Sequence, residues 1–517
     1  MYLLIRSRLT EISGLLTCFL MGFTVRMVPE LLAFPHPIGF DTIYYAAVMK
    51  GGVVWPHWTA LFTSSWLFPA ISVSLYSVFG GDPFTLLKVL APLLFGLNVA
   101  GIFWFARKML GWSVRTSLFA GLFFAFQLAS LRISWDLLRN TLGLGLLLFT
   151  LPFIKSVNSK RGFACFVLLS LLSVFAHEYA AVTLLFVVFG LVLWSGLKKE
   201  GLAKSKHLLF ACSPALVVFA VGIFLRFFPV HYMVETNVLR AGDADYASVG
   251  GFFFLTNYLS VKTSVDWYAS YFDLALSVVL LFSLLYLPYI FLVLKGFFKN
   301  RVLSLWTAPL LVGGFGCLVF PFCALEYWYR WMFMLVYPFT FYAVNGLRGF
   351  TANYDGGVFR LGVNVSERKA KGMFFLTVLL GSVYLATPIL MGTVNVGVFA
   401  FNSVNRYFSF APTVPYEDVG SVVEAMGWLN KNMGAGDCVL LQHAFLSWGR
   451  LYLDKQHVIV HFENDVGLAV DFALERSFGR VFFVWWNTPI GWYGISVPEG
   501  FVRLEDFDRI SVYEFVG

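Results

Sequence analysis

A single acid stands among aromatic residues shortly after the first long apolar run of this sequence. The stretch HPIGFDTIYYAAVMKGG, residues 36–52, holds Asp41 beside Tyr44 and Tyr45, and His57 follows it. A carboxylate in this position can accept a proton from a bound hydroxyl or amide group. The aromatic faces suit either stacking on a ligand or placement at a membrane interface. A cap for the helix TIYYAAVM is the alternative role of Asp41, and the two roles are compatible.

Three further breaks between apolar runs carry ionisable residues. They are RISWDLLRN, AHEYA and LEYWYRW, with Arg132, Asp136, Arg139, His177, Glu178, Glu326 and Arg330. Such groups are costly at apolar depth and are usually functional there. Arginines suit the stabilisation of a phosphate group as charge develops on it. The alternatives are structural ion pairs, for Asp136 with its arginines and for Arg330 with Glu326, and, for His177 and Glu178, a turn whose polar groups are hydrogen-bonded within it.

Membrane-spanning helices are predicted to carry these residues. Hydrophobic residues make up 59% of the 517-residue chain and charged residues only 13%, which excludes a soluble globular protein with a polar exterior. Apolar runs of the length that a bilayer requires recur from Leu9 to Gly392. Eleven spans are predicted, near 9–28, 84–106, 114–131, 137–154, 163–176, 179–194, 208–228, 272–294, 302–322, 331–347 and 373–392.

Basic residues predict how the spans are oriented. Every second break is rich in Lys and Arg, beginning with Arg6 and Arg8, and such residues are retained on the cytoplasmic side. We therefore expect a multi-pass plasma-membrane protein with a cytoplasmic N-terminus, a first span kept as an anchor, and an external C-terminal end. This orientation requires that the apolar stretch 66–79, opened by Pro69, lies on the outer surface without crossing. All four breaks with ionisable residues then share the external side.

The chain changes character towards its C-terminal end. Two domains are predicted, a transmembrane domain at 1–395 with a first external loop at 29–83, and an extracytoplasmic domain at 396–517. In the second, CVLLQ, HVIVHF and VFFVWW predict buried parallel strands with helices between them, closed by the hairpin FVRLEDFDRISVYEF.

The net charge of +8 does not indicate nucleic-acid binding. Its positive excess lies in the part before about residue 400, whereas the remainder is acidic. We attribute the charge to membrane orientation and to contact with anionic membrane lipid.

The arrangement resembles the GT-C class of membrane glycosyltransferases, which includes protein O-mannosyltransferases and aminoarabinose transferases. The shared features are a cytoplasmic start, a long first external loop with an acid in GFDTIYY and a surface helix, a second acid after the third span, and an outward C-terminal domain. The resemblance covers about residues 1–350 as architecture and two short motifs as sequence. It implies a polytopic α-helical GT-C-like membrane protein with a small C-terminal α/β extracytoplasmic domain.

The resemblance also implies an activity. A sugar would pass, with inversion, from a polyprenyl phosphate or diphosphate to an extracytoplasmic acceptor, which is a protein, a glycan or a lipid. Asp41 would be the base or a metal ligand, and Asp136 corresponds to the second acid. If a metal ion takes part, magnesium or manganese is expected at these two carboxylates, although GFDTIYY has one acid where relatives often carry two. The residues expected to bind substrate are Arg132, Arg139, Arg330, Tyr44, Tyr45, His57, His177, Glu178 and Glu326.

Two other classes of protein stay open as alternatives. A multi-pass transporter tends to show paired Gly/Pro interruptions in two related halves, and no such pairing is evident in the sequence. A non-catalytic envelope scaffold or sensor would need few polar external turns, and four are predicted. The long external loop from Tyr232 to Asp266 is either a lid or a plain connection.

Overall fold

The computed structural model describes residues 2–54, 60–63, 65–199, 201–227, 237–241, 270–298, 300–319, 328–348, 366–386, 413–487 and 496–517. Most of this chain is helical. Its α-helices are α1 Tyr2–Leu32, α2 Thr42–Gly51, α3 Ala60–Thr63, α4 Leu67–Phe79, α5 Pro83–Lys108, α6 Val114–Ala125, α7 Leu128–Asp136, α8 Leu138–Thr150, α9 Lys160–Ala176, α10 Glu178–Lys198, α11 Leu202–Phe227, α12 Tyr271–Tyr286, α13 Ile290–Lys295, α14 Arg301–Val319, α15 Trp328–Met334, α16 Val336–Arg348, α17 Glu367–Leu385, α18 Val419–Asn432, α19 His443–Tyr452 and α20 Val466–Glu475.

Five of these helices are long and apolar enough to cross a membrane alone. They are the segments Leu9–Leu32, Pro83–Lys108, Glu178–Lys198, Ala203–Leu225 and Arg301–Val319. The chain is thus a polytopic helical membrane protein, as expected. The number of eleven spans stays a prediction, because among the described residues five helices, or six if the bent pair α6 and α7 is one span, are long and apolar enough.

The third predicted span, 114–131, differs from the structure because it is not one straight helix. Helices α6 and α7 meet at an angle of 64°. The break lies at Gln127, whose backbone is extended and whose buried side-chain amide donates to Thr340 Oγ1 over 2.8 Å and accepts from the Tyr289 hydroxyl. These bonds satisfy a polar side chain inside the bundle. As a result α7, which carries Arg132 and Asp136, is a short buried helix set across the direction of the span.

The loop predicted at 29–83 contains the two helices that the sequence suggested. α2 covers TIYYAAVM and ends at Gly52, which adopts the left-handed conformation (φ +72°) common at helix C-termini. α4 covers 67–79, with Pro69 in its first turn, where a missing N–H costs nothing. At 13 residues α4 is shorter than a membrane span, which agrees with a surface position.

The C-terminal region forms the expected small α/β domain around a six-stranded sheet. Its strands are β1 Val238–Arg240, β2 Cys438–Gln442, β3 Val458–Phe462, β4 Val481–Trp486, β5 Phe501–Phe507 and β6 Ile510–Phe515. Their order is β1-β3-β2-β4-β6-β5, with the first four parallel and the β5–β6 hairpin antiparallel to β4. β2 and β4 are buried along their whole length, which explains their unbroken apolar sequences.

Strand β1 was not predicted, because it comes from the long loop that follows α11. Val238 pairs with Ile459 and Arg240 with His461 in parallel register. This pairing ties the loop after α11 to the C-terminal domain, so both lie on one side of the membrane. The rest of that loop and the predicted domain boundary at 395/396 lie outside the described residues.

Candidate functional site

The loop between α1 and α5, which carries Asp41, touches the turn after α7 directly. The backbone N–H of Phe40 donates to Asp136 Oδ2 over 3.2 Å. Gly39 precedes it with φ +90°, and a Cβ atom at this position would lie 2.5 Å from Cβ of Asp136. Only glycine allows both this backbone conformation and this close approach. The structure therefore brings the two motifs that carry Asp41 and Asp136 into contact.

Asp136 itself is held in a buried ion pair. Arg132, four residues earlier on α7, contacts Oδ1 with Nη1 and donates from Nη2 to Oδ2 over 3.3 Å. Both side chains are buried, at 6% and 2% exposed for the arginine and the acid. Both carboxylate oxygens are thus engaged by Arg132 and Phe40. The alternative of a structural ion pair describes this geometry well.

Asp41 stands at the first position before α2, and its side chain makes no cap hydrogen bond to the described backbone. The capping role therefore has no support in the geometry. Burial raises the pKa of the Asp41 carboxyl, and the charge of Asp136 raises it further, whereas Arg330, Arg139 and Arg132 act in the opposite direction. A carboxylate with a raised pKa is a stronger base than an ordinary aspartate.

Arg139 interacts with the tyrosines of α2 and with the charge of Asp41. Its guanidinium carbon is 5.9 Å from the ring centroids of both Tyr44 and Tyr45, the range of cation–π contact. Tyr45 is buried, and its ring packs edge-on against Phe68 of α4 at a centroid distance of 5.0 Å. Tyr44 is only half-buried, so its ring remains available to a ligand.

His177 and Glu178 lie at the start of α10, next to the same arginines. His177 Nδ1 accepts a hydrogen bond of 3.1 Å from the backbone N–H of Tyr179, which caps the helix. Burial, Arg139 and Arg330 lower the pKa of His177 well below its ordinary value, so the ring is neutral at pH 7. Glu178 is buried in the first turn, where a carboxylate is favoured by the helix dipole. The alternative of an internally hydrogen-bonded turn therefore accounts for the position of His177.

Arg330, on α15, is also buried and completes the group around Asp41. Two expected substrate-binding residues, His57 and Glu326, lie outside the described residues. Of the expected site, the structure therefore gathers Asp41, Asp136, Arg132, Arg139, Arg330, Tyr44, Tyr45 and His177.

A magnesium or manganese ion does not fit between Asp41 and Asp136. Both oxygens of Asp136 are already bonded, and the positive charges of three arginines act on Asp41. Such ions prefer several oxygen ligands, and positive neighbours oppose their binding. The two carboxylates therefore do not form a site for either ion.

A buried cluster of charged residues, which was not predicted from the sequence, holds the loop that carries Asp41 in place. Arg26 and Glu30 form an ion pair of 2.8 Å near the end of α1, and Lys88 of α5 reaches Glu30 at 3.2 Å. Arg26 Nε donates to the carbonyl of Ser134 over 3.2 Å, and Lys88 donates to that of His36 over 2.6 Å. The i, i+4 spacing of Arg26 and Glu30 at the end of an apolar run was a usable signal.

The C-terminal domain packs directly on the loop at 29–83, which the sequence did not predict. His36 stacks on Tyr416 at 5.2 Å between ring centroids, and the Tyr416 hydroxyl donates to the Pro37 carbonyl over 2.9 Å. Lys50 at the end of α2 donates to the carbonyl of Leu451 over 2.6 Å. One apolar core includes residues of α2, α5, α8 and the sheet. The domain therefore covers the loop that carries Asp41.

Comparisons with known proteins support the fold. No protein-family model and no curated protein matches the sequence. Among solved structures, the cryo-electron microscopy structure of the arabinofuranosyltransferase AftD from mycobacteria is similar over 96% of this chain, with a TM-score of 0.50 and 13% sequence identity. The chain spans about 40% of the length of that protein. At this identity the similarity concerns the fold alone, and it confirms the GT-C-like architecture.

Proposed function

We propose that this protein is a membrane glycosyltransferase that moves a sugar from a polyprenyl-phosphate or diphosphate donor to an extracytoplasmic acceptor. The observation that carries the proposal is the setting of Asp41. Its side chain makes no capping bond, its neighbour Phe40 is bonded to Asp136, and three arginines interact with its carboxyl electrostatically. The GT-C-like fold and the glycosyltransferase activity named for its structural neighbour point to the same class of reaction.

The proposed reaction is a single displacement with inversion. An acceptor hydroxyl or amide attacks the anomeric carbon and transfers its proton to the Asp41 carboxylate. The bond between the anomeric carbon and the phosphate oxygen breaks, and its electron pair leaves with the phosphate. Arg139 and Arg330 stabilise this developing charge by charge-assisted hydrogen bonds.

The remaining residues position the reacting groups. Arg132 fixes Asp136, which in turn holds the backbone of Phe40 next to Asp41. The half-buried ring of Tyr44 offers a face for the sugar. Correct placement of this kind supplies much of the rate enhancement in transfer reactions.

The proposal is tested with the full chain in lipid nanodiscs. Synthetic polyprenyl phosphates carrying single pentoses or hexoses are supplied together with a cell-envelope fraction as the acceptor pool, and release of the lipid phosphate is measured. We expect wild-type protein to consume at least one donor and Asp41→Asn to consume almost none. The matched control is Asp82→Asn, an acid of the same loop that caps α5 by accepting from Thr85 N over 2.8 Å. The proposal fails if wild type consumes none, or if both variants behave alike.

A further inference from the structure

Two histidines and a glutamate meet at the edge of the C-terminal sheet, apart from the site around Asp41. His461 and Glu463 lie at the carboxyl end of β3, and His443 directly follows β2, as the first residue of α19. One oxygen of Glu463 is 3.4 Å from His461 Nε2 and 3.8 Å from His443 Nδ1. Neighbouring parallel strands end at this edge, where ligands commonly bind to α/β sheets.

Among the three residues, His461 has the most unusual environment. It is 2% exposed, and among the described residues neither of its ring nitrogens makes a well-aligned hydrogen bond, although Nε2 lies 3.4 Å from the Glu463 carboxylate. Buried polar atoms are nearly always bonded, so such a ring calls for an explanation. An ion bound to one ring nitrogen would provide it.

We propose that His443, His461 and Glu463 bind a divalent cation of the zinc type. Two ligands of one tetrahedral zinc ion, each about 2.0–2.2 Å from the metal, lie about 3.4 Å apart. The ligand atoms of the three residues all lie within 4.8 Å of one another, so small side-chain movements suffice. Imidazole nitrogens with a carboxylate form a donor set that suits zinc better than magnesium or calcium.

Charged groups near His461 have opposing effects on a bound cation. Arg240 and Arg450 lie close enough to His461 to interact with it electrostatically. The two arginines repel a cation, and Glu463 supplies the only anionic ligand of the set. Loss of the Glu463 charge should therefore weaken binding more than loss of either histidine.

The ion would connect the C-terminal domain to the first external loop. The ring of His443 stacks on Phe40 at 5.9 Å between centroids, and the backbone of Phe40 binds Asp136. His443 is also the most exposed ligand, with 44% of its side chain accessible, so the ion keeps an open position. The proposal does not depend on the transfer reaction, and its test uses no sugar donor.

The experiment measures metal bound to the full chain, purified without a histidine tag and stripped with a chelator. The protein is equilibrated with zinc, free ion is removed, and zinc is counted by mass spectrometry, with the cobalt(II) absorption spectrum as a second probe. Wild type is expected to retain one ion per chain and to melt at a higher temperature with zinc than with chelator. Glu463→Gln and His443→Asn, both at accessible side chains, should lose the ion and the shift.

The matched control is His457→Asn. His457 precedes the same strand, is 1% exposed, and also lacks hydrogen-bond partners at both ring nitrogens among the described residues, but it is not part of the cluster. It should keep the ion, whereas His461→Asn should lose it. Absence of zinc from wild type overturns the proposal, as does equal loss in the His457 and His461 variants. Saturable phosphate binding at this edge in place of zinc would also overturn it and assign an anion site to the arginines.

Discussion

Replacing Asp41 by Asn distinguishes a catalytic role of its carboxylate from a structural role. The substitution preserves size and the ability to cap a helix while removing the base. The structure has no cap bond to lose at this position. Because Asp41 has a raised pKa, its ionised form is disfavoured in the folded state relative to the unfolded chain.

The expected magnitudes follow from this setting. Removal of a general base costs about 10² to 10⁴ in rate, equivalent to roughly 2.7 to 5.4 kcal/mol of transition-state stabilisation. The free energy of unfolding of Asp41→Asn should increase or stay unchanged, whereas the rate of transfer falls. A raised folded-state pKa gives a stability contribution that is present below the unfolded pKa, about 3.9, and is lost as the pH rises through the folded value. Asp41→Asn should therefore be at least as stable as wild type at pH 7, with the difference shrinking towards acid pH.

The assay compares three properties of the same nanodisc preparation: melting temperature between pH 4 and pH 7, binding of a polyprenyl phosphate, and single-turnover sugar transfer. We expect Asp41→Asn to melt at or above the wild-type temperature at pH 7, to bind the lipid like wild type and to transfer almost no sugar. Near-normal transfer by this folded variant would refute the catalytic role. A loss of both stability and lipid binding would instead show that Asp41 is structural.

Three further outcomes are expected. Gly39→Ala should lower the melting temperature and abolish transfer, because its Cβ would lie 2.5 Å from that of Asp136 and because positive-φ strain adds about 1 to 3 kcal/mol. The control Gly52→Ala, with φ +72° and nothing within 4 Å, should show only the effect of the strain. Equal effects of the two substitutions would contradict the contact between Gly39 and Asp136. In a cysteine-free background, a cysteine at Gly500 should react with an impermeant reagent from outside and one at Gly362 should not; the reverse pattern would invert the topology. Lys50→Met should weaken docking of the C-terminal domain, seen as faster proteolysis near Leu451, and unchanged proteolysis would show that the 2.6 Å contact contributes little.

The parts of the fold that could be predicted from sequence are those with a strong local signal. CVLLQ and VFFVWW are continuous apolar runs too short for a membrane span, so they indicated buried strands, and both are observed. The charge pattern of the breaks also predicted Asp136 and its arginines as candidate site residues. In each case the information lies within a few adjacent residues.

The parts that escaped prediction depend on contacts between distant residues. A single glutamine in FFAFQLASL gives too weak a signal to predict the 64° bend at Gln127. The strand Val238–Arg240 has only three residues and takes its conformation from β3. The docking of the C-terminal domain rests on pairs such as Lys50 and Leu451, which are 401 positions apart. Local patterns cannot encode such partners.

The position of a lipid-linked donor is best measured by a cryo-electron microscopy structure of the full chain with a bound polyprenyl-phosphate sugar. We expect one placement, with the phosphate within hydrogen-bond distance of Arg139 or Arg330 and the anomeric carbon between that phosphate and the Asp41 carboxylate. A phosphate bound away from both arginines, or on the opposite side of the membrane from Asp41, would contradict it.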